Sequence, residues 1–259
     1  MTQKLHVITH NIHKGFSHFN DRLMIHELRE RLRQLHPDVV FLQEVQGHHS
    51  RHASKLHNWP SKPQHEFLAE DYWSDMAYGH NAVYKAGHHG NAILSRFPIV
   101  SSYNHDVSVY RFERRGLLHC EVAVPGWTEP LHCICVHLSL YSGGRHRQIA
   151  ALSDLIEKLA PENAPLIIAG DFNDWRKAAN KMLSEKFNLQ EAFFCAHGKH
   201  ARSFPCVFPL LELDRIYIRG FSISHTEIMY SGPWSKISDH AALSAHLIKT
   251  TASGDNPKT

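Results

Sequence analysis

The chain has 259 residues, 28 Lys plus Arg, 25 Asp plus Glu and 24 histidines, a formal charge of +3 with neutral imidazoles. Adding the 24 imidazole charges to +3 gives +27 in acid, so the protein should be nearly neutral above an unperturbed imidazole pKa of ~6.5 and strongly cationic below it. A 42% apolar fraction excludes disorder for the bulk of the chain, no apolar run approaches the ~18 residues of a membrane span, and MTQKLHVITHN lacks a signal-peptide core.

Five cysteines (Cys120, Cys133, Cys135, Cys195, Cys206) form no Cys-x-x-Cys, and Cys133 and Cys135 alternate like small core residues of one strand. A reduced, cytoplasmic protein is expected. The length suits a single domain over residues 1–249, with the polar, Gly- and Pro-containing 250–259 as a flexible tail.

Leu5 to Asn11 reads as a strand, and DRLMIHELRERLRQL as a helix with Ile25, Leu28, Leu32 and Leu35 on one face. Asp38 to Glu44 is a continuous apolar strand ending on a carboxylate, the pattern of burial on both faces. Residues 45–75 read as a long polar connection with a short helix around HEFLAEDYW. Strands are expected at Asn81 to Tyr84 and Asn91 to Arg96, separated by a turn over 86–90, and then at Leu117 to Val124 and Leu131 to His137. A second helix carries Ile149, Leu152, Ile156 and Leu159. Pro165 to Asp171 is another buried strand, and Asp174 caps a third helix bearing Ala178, Met182 and Leu183. Leu213 to Ile218 and Ala241 to Leu247 complete the strands.

The strand–helix–strand unit from Asn11 to Glu44 has nearly the length of that from His137 to Asp171, and both helices share the same apolar offsets. This is either coincidence or two similar layers facing each other in a two-sheet α/β sandwich.

Apolar strands that end in polar residues are informative, because an unpaired carboxylate at a core edge is costly. Such endings occur at His10-Asn11, Gln43-Glu44, Val136-His137, the GDFND segment from Gly170 to Asp174, and Leu213-Asp214; Ser238-Asp239-His240 precedes the last strand. Several carboxylates with an Asn suit a hard cation such as Mg²⁺ or Mn²⁺ and suit Zn²⁺ poorly. Two histidines beside acids can move protons or stabilise charge at a phosphate. With no P-loop, no G-x-S-x-G and no H-E-x-x-H, activated water is the natural nucleophile.

The ordered set Asn11, LQE at Glu44, VHL at His137, GDFN at Asp171 and Asn173, LD at Asp214 and SDH at Asp239-His240 resembles the endonuclease/exonuclease/phosphatase superfamily, over residues 4 to 248. The strings HNIHKGF, GHHGNAILSR and GDFNDW look like a bacterial branch of it. The resemblance implies a DNase I-like four-layer α/β/β/α sandwich, two mixed sheets face to face with helices outside. It implies that Glu44 is the principal Mg²⁺ ligand, with Asn11 and Asp239 completing or supporting the metal side. Asp171 would orient or deprotonate the attacking water beside Asn173. His240, paired to Asp214, would bind the phosphate, and His137 would protonate the leaving oxygen. The glutamate that supports this histidine in DNase I has no counterpart, since His89, Gly90 and Asn91 stand there.

The pairs His48-His49 and His88-His89 read as solvated loop residues, and the histidines other than His137 and His240 mostly as surface groups. Trp59, Phe67, Tyr72, Trp73 and Tyr78 read mostly as core, and RSFPCVFPLLELD as a structural loop. Arg114-Arg115 and Arg145-His146-Arg147 are candidates for phosphate contacts. The expected activity is Mg²⁺- or Mn²⁺-dependent phosphodiester hydrolysis, nuclease-like, falling below about pH 6 as His137 and His240 leave their working states. The alternatives are a phospholipid or sphingomyelin phosphodiesterase, an inositol-phosphate phosphatase, or a binding module without the chemistry. No protein partner is indicated.

Overall fold

The computed structural model describes residues 4–19 and 21–250; apart from Thr250, the expected tail lies outside the described residues. The chain begins β1 (Lys4–Asn11), α1 (Ile25–Leu35), β2 (Val39–His49), α2 (Ser50–Lys55), α3 (Gln64–Ala69), β3 (Asp75–Tyr84), β4 (Gly87–Ser95) and β5 (Ile99–Asp106). It continues with β6 (Gly116–Val122), β7 (Leu131–His137), α4 (Ser142–Leu159), β8 (Leu166–Asp171), α5 (Ala178–Phe187), β9 (Gln190–Glu191) and α6 (Ala192–His197). The last strands are β10 (Asp214–Arg219), β11 (Phe221–Met229) and β12 (Ala242–Lys249).

Two six-stranded sheets result, ordered β11-β12-β1-β2-β4-β3 and β5-β6-β7-β8-β10-β9. Among the described residues β1–β2 and β7–β8 are the parallel pairs, each central in its sheet, and all other neighbours are antiparallel. The two sheets therefore share one pattern of strand directions, each built around a strand–helix–strand unit of the length noted in the sequence.

The main core lies between the sheets, where Val7, Phe41 and Leu243 meet Cys133, Cys135, Ile167 and Ile216. Helix α1 covers the first sheet by packing Ile25, Leu28 and Leu32 on Ile8, Val40 and Leu42. Helices α4 and α5 cover the second, with Ile149, Leu152, Ile156 and Leu183 against Ile134, Val136 and Ile168. This is a four-layer α/β/β/α sandwich. Strands buried on both faces explain the continuous apolar runs of β2 and β8, and truncating a fully buried Leu28 or Leu32 to Ala should cost about 2–5 kcal/mol.

Several local expectations are corrected. Residues 45–75 are not one long connection, since β2 runs on to His49 through a register shift after Leu42 and pairs with β4. The turn expected over 86–90 is mostly strand; a Cβ on Gly90 would lie 1.7 Å from the Gly79 carbonyl oxygen, so that glycine permits close strand pairing. His48, His49, His88 and His89 accordingly lie on strands, not in a loop. On α5 Ala179 rather than Ala178 is buried, together with Leu183 and Phe187, while Asp174 Oδ2 accepts the Ala179 N–H at 2.8 Å. Trp73 is buried, and Phe67, Tyr72 and Tyr78 pack against the same core.

Candidate active site

The strand ends of both sheets meet at one edge of the sandwich. Asn11 Nδ2, at the end of β1, donates across to Asp171 Oδ2, at the end of β8, at 3.2 Å. His137 Nε2 stands 3.5 Å from the same oxygen and His240 Nε2 3.8 Å from it. Asp171 Oδ1 accepts the Asn173 N–H at 2.9 Å, and Asn173 Nδ2 donates to the Leu138 carbonyl at 2.9 Å. Asp214 faces Asp171 across the β8–β10 ladder, and its Oδ2 lies 2.8 Å from His240 Nδ1.

Beside this group, Glu44 Oε2 sits 3.3 Å from Lys14 Nζ, and Asp239 Oδ1 sits 3.6 Å from His13 Nδ1. Ser238 Oγ donates to the Asn11 carbonyl at 2.7 Å and accepts the His240 N–H at 3.2 Å, tying the SDH segment to β1. The structure thus gathers Asn11, His137, Asp171, Asn173, Asp214 and His240 in one contact network, with Glu44 and Asp239 joined to its rim by Lys14 and His13.

Backbone conformation at this edge is unusual. His13, Lys14, Glu44 and Asn173 all have positive φ, between 46° and 58°, a region that costs ordinary residues energy and persists where its surroundings enforce it. Gly170 has φ 146°, and a Cβ there would lie 2.0 Å from the Val136 carbonyl oxygen. The GDFN glycine is therefore what lets β8 lie against β7 with His137 opposite Asp171.

A family model described as "Endonuclease/Exonuclease/phosphatase family" matches residues 8–240. The chain belongs to this family. It is 48% identical to YbhP of Escherichia coli K12 over 241 residues, covering 93% of this chain and 95% of YbhP. The endonuclease/exonuclease/phosphatase structure from Beutenbergia cavernae superposes with a TM-score of 0.75 at 19% identity, over 95% of this chain and 72% of that one. D. rerio TDP2 complexed with a single-strand DNA product superposes with a TM-score of 0.65 at 19% identity, over 94% of this chain and 98% of that one.

Within this endonuclease/exonuclease/phosphatase-family site, electrostatics divide the histidines. Burial works against charge on His240, but the Asp214 and Asp171 carboxylates outweigh it and raise its pKa to about 10. Burial and the nearby Arg115 guanidinium drive His137 well below its usual value, so it is neutral at neutral pH. Burial raises Asp171 to about 7, helped by the Asp214 charge and opposed by His240. Burial would raise Glu44 too, but the His137, Lys14, His89 and His13 side chains hold it at about 2.

The donor set fits a divalent cation on the Glu44 side. Among the described residues Glu44 Oε2 is buried without a hydrogen bond and has only the Lys14 ion pair, an arrangement that a hard cation would complete. The ligand atoms of Asp171, Asp214 and His240 also cluster, but the His240–Asp214 hydrogen bond and the Asn11 donation to Asp171 already engage them.

Polar pins beneath the site hold the two sheets in register. Gln43 Nε2 reaches Cys135 Sγ at 3.2 Å, and Asn91 Nδ2 donates to the Gly116 carbonyl at 2.9 Å and the Cys135 carbonyl at 3.3 Å. The loop before β10 is more than a connection. Cys206 N–H donates to the Asp239 carbonyl, Ala241 N–H to the Ser203 carbonyl, and the Phe204 ring lies 5.0 Å from that of His240.

Sequence reasoning passed over His13 and Lys14, whose one signal was their place in HNIHKGF. Of the arginine candidates, Arg115 lies beside His137, donating to the Leu138 carbonyl at 3.3 Å, whereas Arg114 turns to Asp106. Arg145 is no phosphate contact. It is buried, donates to the Ser139 and Leu140 carbonyls and lies 4.7 Å over the Trp175 ring. Nor are the remaining histidines mostly surface groups. Burial lowers His6, His10, His65, His89 and His119 to about 4, so the full +27 is not reached in the folded state at mildly acidic pH.

Proposed function

We propose that the chain is a Mg²⁺-dependent phosphodiester hydrolase with nuclease-like activity, carried by one domain over residues 1–249 and working in the cytoplasm. The convergence of Asn11, His137 and His240 on Asp171 Oδ2 carries this reading. The five free cysteines support a reducing compartment, and among the described residues no helix is long and apolar enough to cross a membrane.

Glu44, with Asn11 and Asp239, would hold Mg²⁺ or Mn²⁺, which would polarise the phosphate and lower the pKa of the attacking water. Asp171 takes a proton from that water at Oδ2, its carboxylate oriented by Asn11 and by the Asn173 N–H. His240 keeps its Nδ1 proton on Asp214 and offers the Nε2 proton to a phosphate oxygen, where negative charge develops. His137 receives its proton when the phosphate anion arrives, since an adjacent negative charge raises an imidazole pKa, and passes it to the leaving oxygen. Lys14 and Arg115 add positive charge around the scissile group.

The exposed rings of Phe112 and Tyr141 pack with Tyr110 at 5.3–5.7 Å on loops flanking His137, a platform on which unpaired bases can stack. One observation favours a second reading, a phospholipid head-group phosphodiesterase. Leu140, Val207 and Leu210, with Phe19 and Phe208, are exposed on three loops at this same edge, and the aliphatic tips among them suit a lipid interface better than a base stack.

Hydrolysis of bis-p-nitrophenyl phosphate tests the chemistry. It should require Mg²⁺ or Mn²⁺ and collapse in Glu44→Ala, Asp171→Asn and His240→Ala protein, and full activity in EDTA overturns the metal assignment. A panel of plasmid DNA, single-stranded DNA, sphingomyelin and cardiolipin vesicles tests the substrate. Lipid cleavage with untouched DNA would replace the first reading by the second.

A further inference from the structure

At the far end of the second sheet from the active edge, two buried imidazoles face each other. His119 on β6 and His132 on β7 are each 3% exposed, with His119 Nε2 3.0 Å from His132 Nδ1 and their rings nearly parallel at 12°. Glu121 is two residues along β6 from His119, on the same face of the strand, and it is the register partner of His132. One ligand atom from each of the three lies within 4.8 Å of the others. The Glu121 carboxylate makes no hydrogen bond or ion pair with the described residues, and it is half-buried and open to a ligand. A third imidazole, His105, stands on the neighbouring β5, near enough for its charge to act on His119, and its buried Nε2 makes no hydrogen bond with the described residues.

We propose that His119, Glu121 and His132 form a second metal site, specific for a borderline divalent ion of the Zn²⁺ class and separate from the catalytic centre. Two imidazole nitrogens and a carboxylate oxygen are a recognised Zn²⁺ donor set and a poor one for Mg²⁺. In tetrahedral coordination at about 2.0–2.1 Å, two nitrogens stand about 3.3 Å apart. The observed 3.0 Å therefore needs only a few tenths of an ångström of opening for zinc to replace the shared proton. Five residue steps along β7 separate His132 from His137, about 16 Å of strand, so the two centres can be filled independently. A bound ion would clamp β6 to β7 where both strands leave the active-site half of the sheet.

The test is calorimetric titration of EDTA-treated, desalted protein with Zn²⁺, in a Glu44→Gln background that removes the main carboxylate of the catalytic side. One zinc should bind, unaffected by a large excess of Mg²⁺. Adding Glu121→Gln, a half-exposed change that leaves the imidazole pair in place, or His132→Asn should weaken binding about 100-fold or more. Zinc should raise the melting temperature of the Glu44→Gln protein but not of the Glu121→Gln double variant. Absence of zinc binding in folded Glu44→Gln protein overturns the proposal, as does binding of undiminished affinity in folded Glu121→Gln and His132→Asn variants.

Discussion

His240 Nδ1 and Asp214 Oδ2 are 2.8 Å apart, both groups are buried, and Asp214 is itself held by the β8–β10 ladder opposite Asp171. The pair keeps a cationic imidazole inside the protein although burial alone would discharge it. Asp214→Asn leaves a buried ring without its counter-charge, a change that should cost about 3–5 kcal/mol of stability in urea unfolding. Because the folded-state pKa is raised, to about 10 from 6.5, the stabilisation is fully present below pH 6.5 and lost as pH rises through 10. Wild-type melting temperature should therefore fall across that window more steeply than that of Asp214→Asn protein. Parallel slopes would show that the pair does not control the titration.

The acid limb of activity should belong to Asp171 rather than to the histidines. Burial raises its pKa to about 7, while the Asp214 and Asp171 carboxylates hold His240 well above, and burial pushes His137 well below, the ordinary imidazole range. A base that ionises near 7 predicts kcat/KM falling about tenfold per pH unit on the acid side, so activity declines about a unit above the limit suggested by unperturbed imidazoles. In stability the sign is the reverse of the usual carboxylate case. The raised pKa favours folding below 3.8, and that contribution disappears as pH rises through 7. A rate flat from pH 5 to 8 would remove Asp171 from the role of base.

Gly170→Ala should be among the most damaging small substitutions in the chain. The backbone conformation alone disfavours any side chain by about 1–3 kcal/mol, and the added methyl meets a backbone carbonyl that cannot move without breaking the β7–β8 ladder. Urea unfolding should show a loss beyond that range, and activity should fall with the separation of His137 from Asp171. A loss below about 1 kcal/mol would mean that the strands reseat freely.

How much of this was legible in the sequence depended on burial. β1, β2, β7, β8 and α1 were readable because strands covered on both faces, or helices covered on one, leave unbroken or periodic apolar patterns. β5 and β11 were not, because IVSSYNHD and FSISHTEIM lie at or next to sheet edges and carry the polar residues of an exposed face. The polar strand ends pointed to Asn11, Glu44, His137, Asp171 and Asp214, since each breaks an apolar run. Lys14 and His13 break none. They reach Glu44 and Asp239 through a left-handed turn that residue type does not announce. The His119–Glu121–His132 cluster was invisible for another reason, since it exists only once the β6–β7 register sets Glu121 opposite His132.

The exposed rim decides between substrate classes. Phe112 is 75% exposed and packs on Tyr110 and Tyr141, so it can stack on a base as well as enter lipid; Leu140, 57% exposed, can do only the second. If single-stranded DNA is the substrate, Phe112→Ala should raise KM about tenfold, the loss of roughly 1.4 kcal/mol of stacking, with the effect confined to KM. Leu140→Ser should then change KM less than twofold. Co-sedimentation with anionic vesicles supplies the opposite pattern. A lipid-facing rim loses vesicle binding to a similar degree in both variants, because each removes a side chain buried below the head groups. Equal losses on vesicles with unchanged DNA kinetics would assign the edge to a membrane surface, and a Phe112-specific KM effect assigns it to nucleic acid.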